Sequence, residues 1–222
     1  MSDEIPSIDI TLQTHDLNID YESNKSGSLS WKTGLKVTFQ DNYSDPETGV
    51  KRLIPDYLRS EIGGYFLTAF TPSNLFQLEF GLRYDYDYIS AKKYYYTKTW
   101  ENRGYENEFQ NTIIRETSSG QYLTQQDLSF QNLSSSLGLN FLISESINGI
   151  LNFGIISRSP SPSELFSDGL HHSLATIENG DLRIKNETAF KTSVSFEKNN
   201  GIFKWNINGY ISNINDYILI EP

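Results

Sequence analysis

LFQLEFGLRYDYDYIS, Leu75 to Ser90, alternates without a break. Apolar and aromatic side chains stand at Phe76, Leu78, Phe80, Leu82, Tyr84, Tyr86 and Tyr88. Between them come Gln77, Glu79, Gly81, Arg83, Asp85 and Asp87. Period two puts the two sets on opposite faces of one strand. The run is about twice as long as a usual globular strand. At roughly 3.3 Å per residue it reaches about 40 Å, more than the hydrocarbon core of a bilayer. The tyrosines gather at one end of the apolar face, as in an interfacial aromatic girdle.

The same alternation recurs along the chain. Leu29, Trp31, Leu35, Val37 and Phe39 share a face in SLSWKTGLKVTFQ, and Leu133, Leu137, Leu139 and Phe141 do so in LSSSLGLNF. INGILNFGII aligns Ile147, Leu151, Phe153 and Ile155, and TAFKTSVSF aligns Phe190, Val194 and Phe196. IFKWNINGYI places Phe203, Trp205, Ile207 and Ile211 together. The opening IDITLQTHDLNIDY slips phase between Leu12 and Leu17, which predicts a bulge or tight turn near Thr14–Asp16. The count is about eight strands. Composition agrees with a wall one residue thick: aromatics are 14% of 222 residues while hydrophobic residues are only 37%.

Connections come in two lengths. Thr71–Asn74, Ser144–Ile147 and Lys198–Gly201 are short hairpin turns, whereas Asn42–Arg59, Ala91–Gln126 and the opening stretch are long. Short turns on one rim and long loops on the other mark an outer-membrane barrel. KKYYYTKTW, Lys92 to Trp100, reads either as a girdle strand entering a loop or as a stacking surface for a ligand, with Tyr94 and Tyr95 its candidates.

Several classes drop out on composition. A formal net charge of -10 argues against a nucleic-acid partner. With no Cys, neither a disulfide framework nor a thiolate metal site is possible. No apolar run is long enough for a membrane-spanning helix, and the acidic MSDE is not followed by the apolar stretch of a signal peptide. Gly-x-Ser-x-Gly, His-Glu-x-x-His and Gly-rich phosphate-loop patterns are missing, so the expectation is no enzyme; Asp85 and Asp87 are explained as a polar lumen face.

Five stretches in order carry a resemblance. Ile62–Asp85 is similar to a strand-turn-strand unit ending in a Gly-x-Arg-Tyr-Asp box, and Phe130–Ser144 to the long strand after it. SRSPSPSELFSDGLHH (157–172), ENGDLRIKNE (178–187) and INGYISNINDYILIEP (207–222) resemble later Arg-x-Pro, Glu-Leu, Gly-Asn-x-x-Leu and Asp-Tyr-Ile stretches. Together they resemble the barrel of a TonB-dependent outer-membrane receptor. The resemblance implies an all-β fold: an antiparallel transmembrane β-barrel segment, about eight long strands of a larger, 22-stranded barrel. Residues 1–222 would be a partial barrel domain, since the plug, the TonB box and a closing strand with a terminal aromatic are not found in it. It also implies the outer membrane of a Gram-negative bacterium, contact with its lipid, and TonB-energised uptake of a small extracellular ligand, with the TonB complex acting through a plug domain.

The 157–187 excursion rises from that wall. Pro160 and Pro162 remove backbone donors, so the chain leaves the sheet after Arg158, with Glu164 and Leu165 in a short turn. Alternation turns Arg158, Glu187, Lys191 and Glu197 to the polar side, and the expectation is that Arg158 meets Glu187 or Glu164 at the loop base; independent solvation of these charges is the alternative. His171 and His172 are the candidates for ligand chemistry, with Asp168, Glu164 and Glu178 as oxygen donors nearby. Loop motifs come closest to zinc- or haem-uptake receptors, which makes zinc or haem a transported ligand rather than a resident cofactor; ordinary loop structure is the other reading. Two further functions compete: a self-contained eight-stranded outer-membrane barrel, and an extracellular β-sheet binding module using the tyrosines.

Overall fold

The computed structural model describes residues 9–23, 27–48, 51–96, 99–171 and 176–219. In chain order the strands are β1 (Ile10–Glu22), β2 (Leu29–Ser44), β3 (Tyr57–Ser73), β4 (Phe76–Ala91), β5 (Tyr94–Tyr95), β6 (Ile113–Glu116) and β7 (Tyr122–Thr124). They continue as β8 (Asp127–Ser144), β9 (Ile147–Arg158), β10 (Asp168–His171), β11 (Thr176–Asn179), β12 (Glu187–Lys198) and β13 (Trp205–Asn215). Short helices α1 (Thr99–Asn102), α2 (Tyr105–Glu108) and α3 (Pro162–Phe166) lie in the loops.

Eight strands form one antiparallel meander in the order β1-β2-β3-β4-β8-β9-β12-β13. Register aligns the apolar positions into rows. Phe66, Leu82, Ser135, Ile155 and Phe190 sit side by side across five strands, and so do Thr68, Phe80, Leu137, Phe153 and Thr192. Among the described residues no second layer covers this face: Phe80 and Leu82 are each 41% exposed and Phe153 is 45% exposed. The other face is polar. There Arg59 holds Asp87 with two hydrogen bonds (2.9 and 2.7 Å), and Arg83 pairs with Asp85. Gly34 on this face lies beneath the Tyr65 ring, where a Cβ would stand 2.6 Å from Cε1. An aromatic ring laid over a strand glycine restores packing that the missing side chain forfeits.

Two strand expectations change. The phase slip in β1 is not a bulge, because β1 pairs with β2 in constant register from Ile10↔Ser44 to Glu22↔Lys32. Ile10 and Leu12 simply sit on the polar face, opposite Ser44 and Asn42. The opening stretch is therefore a wall strand, joined to β2 by the short connection 23–28. At the far end β13 starts at Trp205, so Ile202 and Phe203 belong to the turn, where both are exposed.

Short connections (23–28, 74–75, 145–146 and 199–204) alternate with three long ones, two of them (45–56 and 92–126) as the loop lengths predicted, while the third is 159–186 and not the opening stretch. The core lies at the long-loop end of the polar face. Tyr57, Ile89 and Ala91 of the wall pack there with Tyr94, Tyr96, Trp100 and Tyr105 of one loop and Leu165, Phe166 and Leu182 of another. This replaces the girdle reading of Lys92–Trp100: the tract leaves the wall at Ala91, and Tyr94, Tyr96 and Trp100 fill the space between loops. Trp100 touches Tyr96 and Tyr105 edge-on or tilted, at 5.3 and 5.1 Å between ring centres.

Candidate functional site

Loop 159–186 is built from its ends inward. Pro160 is fully buried just after β9, and Ser161 starts α3 as its N-cap, with Pro162 in the first turn. The Ser161 hydroxyl accepts the Glu164 N–H (3.3 Å) while the Glu164 carboxylate accepts the Ser161 N–H (2.6 Å). This is a reciprocal capping box, so the short turn expected at Glu164 and Leu165 is a capped helical one. Leu165 and Phe166 follow with no exposure and anchor the helix in the core.

Arg158 ties the two ends of the loop together. Its guanidinium donates to both Glu164 oxygens (3.1 and 3.2 Å) and to both Glu187 oxygens (3.2 and 3.4 Å). Arg158 and Glu187 are direct cross-strand neighbours of β9 and β12, so register places that pair and α3 brings in Glu164. Glu187 also accepts the Ile218 N–H at 3.1 Å. Asn132 of β8 adds a polar clasp, donating to Ser159 (2.7 Å) and accepting from Asn186 (2.6 Å). Arg158 is 42% exposed, so Arg158→Met should cost about 1 kcal/mol of loop stability rather than unfold the wall. Faster proteolysis confined to 159–186 in the intact receptor would measure it.

The ENGD stretch is a folding device as well. Gly180 lies against the end of α3, donates to Ser167 O (2.7 Å), and leaves no space for a Cβ. Asp181 accepts from the Arg183 N–H (2.9 Å) and the Tyr105 hydroxyl (3.0 Å). Burial alone would raise the Asp181 pKa, but the hydrogen bonds from Arg183 and Tyr105 outweigh it and hold the group below its ordinary 3.8. Glu164 behaves alike: burial opposes ionisation, while Arg158 and the Ser161 N–H prevail and keep it below 4.5. A lowered folded pKa stabilises the loop fully above the unfolded value and loses that contribution as pH falls through the folded one. Loop protection against protease should therefore be flat at neutral pH and decline only below about pH 4.

The remaining predicted residues are scattered around this base. Tyr94 is 4% exposed; its hydroxyl donates to Arg52 O (2.6 Å), and Lys51 Nζ lies 4.9 Å from its ring centre. Burial pushes its pKa well up, so it remains a neutral donor. Tyr95 points the other way, exposed and paired with Arg115. His171 is half-buried on the β10–β11 ribbon, where register puts it on the same face as Glu178. His172 lies outside the described residues. Among the described residues no group of three His, Asp or Glu side chains is placed to hold a metal ion. Glu164 and Asp168, two of the expected oxygen donors, are instead held by arginine and lysine. A cleft of about 350 Å³ does open between α3, β11 and the 180–184 turn, lined by Ser163, Glu164, Ser167, Glu178, Asn179 and Asp181, with Ile177, Ile184, Ile218 and Leu219. The Ser167 hydroxyl on this wall is buried without a hydrogen-bond partner among the described residues.

Strands of 11 to 18 residues in an antiparallel meander, apolar and uncovered on one face and capped by long loops on the other, define a transmembrane β-barrel wall. A soluble sheet would have hidden the apolar rows. Residues 5–222 match the family of TonB dependent receptor-like β-barrels, and the chain belongs to that family. No curated protein matches its sequence.

Solved structures share the fold. The hemophore receptor HasR of Serratia marcescens, in complex with its hemophore HasA and haem, aligns at TM-score 0.65 with 16% identity, over 95% of this chain and 34% of that one. The copper transporter OprC aligns at 0.67 with 13% identity, over 95% and 31%. The FrpB iron transporter of Neisseria meningitidis aligns at 0.58 with 16% identity, over 92% and 28%. This chain spans about a third of the length of these proteins.

Proposed function

We propose that the chain is part of the wall and outer mouth of an outer-membrane receptor that imports a scarce ligand, a metal ion, haem or a metal chelate. Uptake would draw on TonB through a plug domain elsewhere in the receptor, in the outer membrane of a Gram-negative bacterium. The observation that carries this reading is family membership over residues 5–222, together with an apolar face suited to lipid and a polar face whose long loops gather at one rim. TonB-dependent receptors are transporters rather than enzymes. The structural relatives, a hemophore receptor, a copper transporter and an iron transporter, support metal-related cargo as the class.

Within the mouth, the β10–β11 ribbon and the cleft beside it are the proposed ligand contacts. His171 and Glu178 share a ribbon face there, and Glu178 also lines the cleft. His172 and Tyr95 are secondary candidates. The test is cellular uptake of zinc, haem and ferric chelates in a strain lacking the gene, complemented with the intact receptor, with and without TonB. Uptake of one ligand class that disappears without TonB is the expected result; no uptake of any, or TonB-independent uptake, overturns the reading. His171→Ala and Glu178→Gln should then raise the concentration needed for half-maximal uptake, and unchanged values would remove both from the site.

A further inference from the structure

Asp168 is a carboxylate with 1% exposure that sits where three loops meet. It lies on β10 in loop 159–186. Lys51 of loop 45–56 reaches its Oδ2 at 2.6 Å and its backbone carbonyl at 3.1 Å, while the Asp168 N–H donates to Leu53 O at 2.9 Å. Arg103 of loop 92–126 approaches Oδ1 at 3.4 Å and spans onward to Gly180 O (2.8 Å) and Asn179 (2.9 Å). Beneath this junction the loops share apolar packing, with Ile54, Trp100 and Phe166 each supplied by a different loop.

We propose that the three long loops open and close as one cap, with Asp168 as the pin. A carboxylate taken out of water depends on the cations around it, and losing Lys51 or Arg103 leaves this buried charge less well compensated. Withdrawal of any one loop therefore removes support from the other two, so the low-energy opening moves all three together. Loops joined only through the wall would instead open independently, each with its own local free energy. The inference concerns how the mouth moves and does not depend on which ligand passes it.

Amide hydrogen exchange on the intact receptor tests it, comparing wild type with Lys51→Met, Arg103→Met and Asp168→Asn. Each substitution should speed exchange about tenfold or more in peptides from all three loops, with β3 and β4 unchanged. Combining Arg103→Met with Asp168→Asn should add nothing to Asp168→Asn alone in loop 45–56, which Arg103 reaches through that one carboxylate. Acceleration confined to the substituted loop, or no acceleration, overturns the proposal. Should Asp168→Asn disturb the wall as well, Lys51→Met decides alone, since this partly exposed lysine can be replaced without burying a new polar group.

Discussion

Gly180→Ala is expected to unseat loop 159–186. A Cβ at this position would stand 2.6 Å from Leu165 C and 2.7 Å from the carbonyl oxygens of Glu164 and Leu165. All three are backbone atoms at the end of α3, so no side chain can swing aside. The conformation of Gly180 is not the issue; its closeness to the helix is. Relief requires moving the 179–182 turn, which would break the Gly180 N–H to Ser167 O and Asp181 N–H to Glu164 O bonds (2.7 and 3.0 Å). A cost of about 3 kcal/mol, at the upper end for overpacking, is enough to leave the loop mostly open. Proteolysis or amide exchange across 159–186 should rise sharply while the strands stay protected. Gly154→Ala is the control, because a Cβ there meets only Ser135 O at 3.9 Å. Equal behaviour of the two variants would refute the packing account.

Leu82→Arg tests the outward face. Leu82 lies midway along β4, 41% exposed, in a row with Phe66, Ser135, Ile155 and Phe190. If this row faces hydrocarbon, an arginine near the midplane costs about 2–4 kcal/mol. The expected readouts are a lower denaturant midpoint for the receptor in lipid and a reduced yield of assembled barrel. Ser212→Arg, on the polar face of β13, should change neither by comparison. Equal tolerance of both substitutions would mean that water, not lipid, touches the Leu82 row.

Much of the wall was readable because its code is local. Leu75–Ser90 announces two faces by its own alternation, and the unequal connections announce two rims. Arg158 and Glu187 could be placed on one face from parity alone, and the cross-strand register of β9 and β12 then made them neighbours. The capping box at Ser161 and Glu164 is equally present in the letters Ser-Pro-Ser-Glu. β1 shows the limit of the code: Ile10 and Leu12 look like a change of phase, yet the ladder with β2 runs through them unshifted.

Alternation by itself determined which stretches are wall strands and gave them two chemistries, while the strand order, each long strand beside its nearest long neighbours in sequence, came with the structure. Tertiary structure alone decided what the loops do. Tyr94, Tyr96 and Trp100 became the heart of a cap instead of a girdle, and Asp168 met a lysine 117 positions away. The physical reason is range: a strand's faces follow from the pleat of one or two residues, whereas a loop's partners depend on where distant turns deliver their side chains.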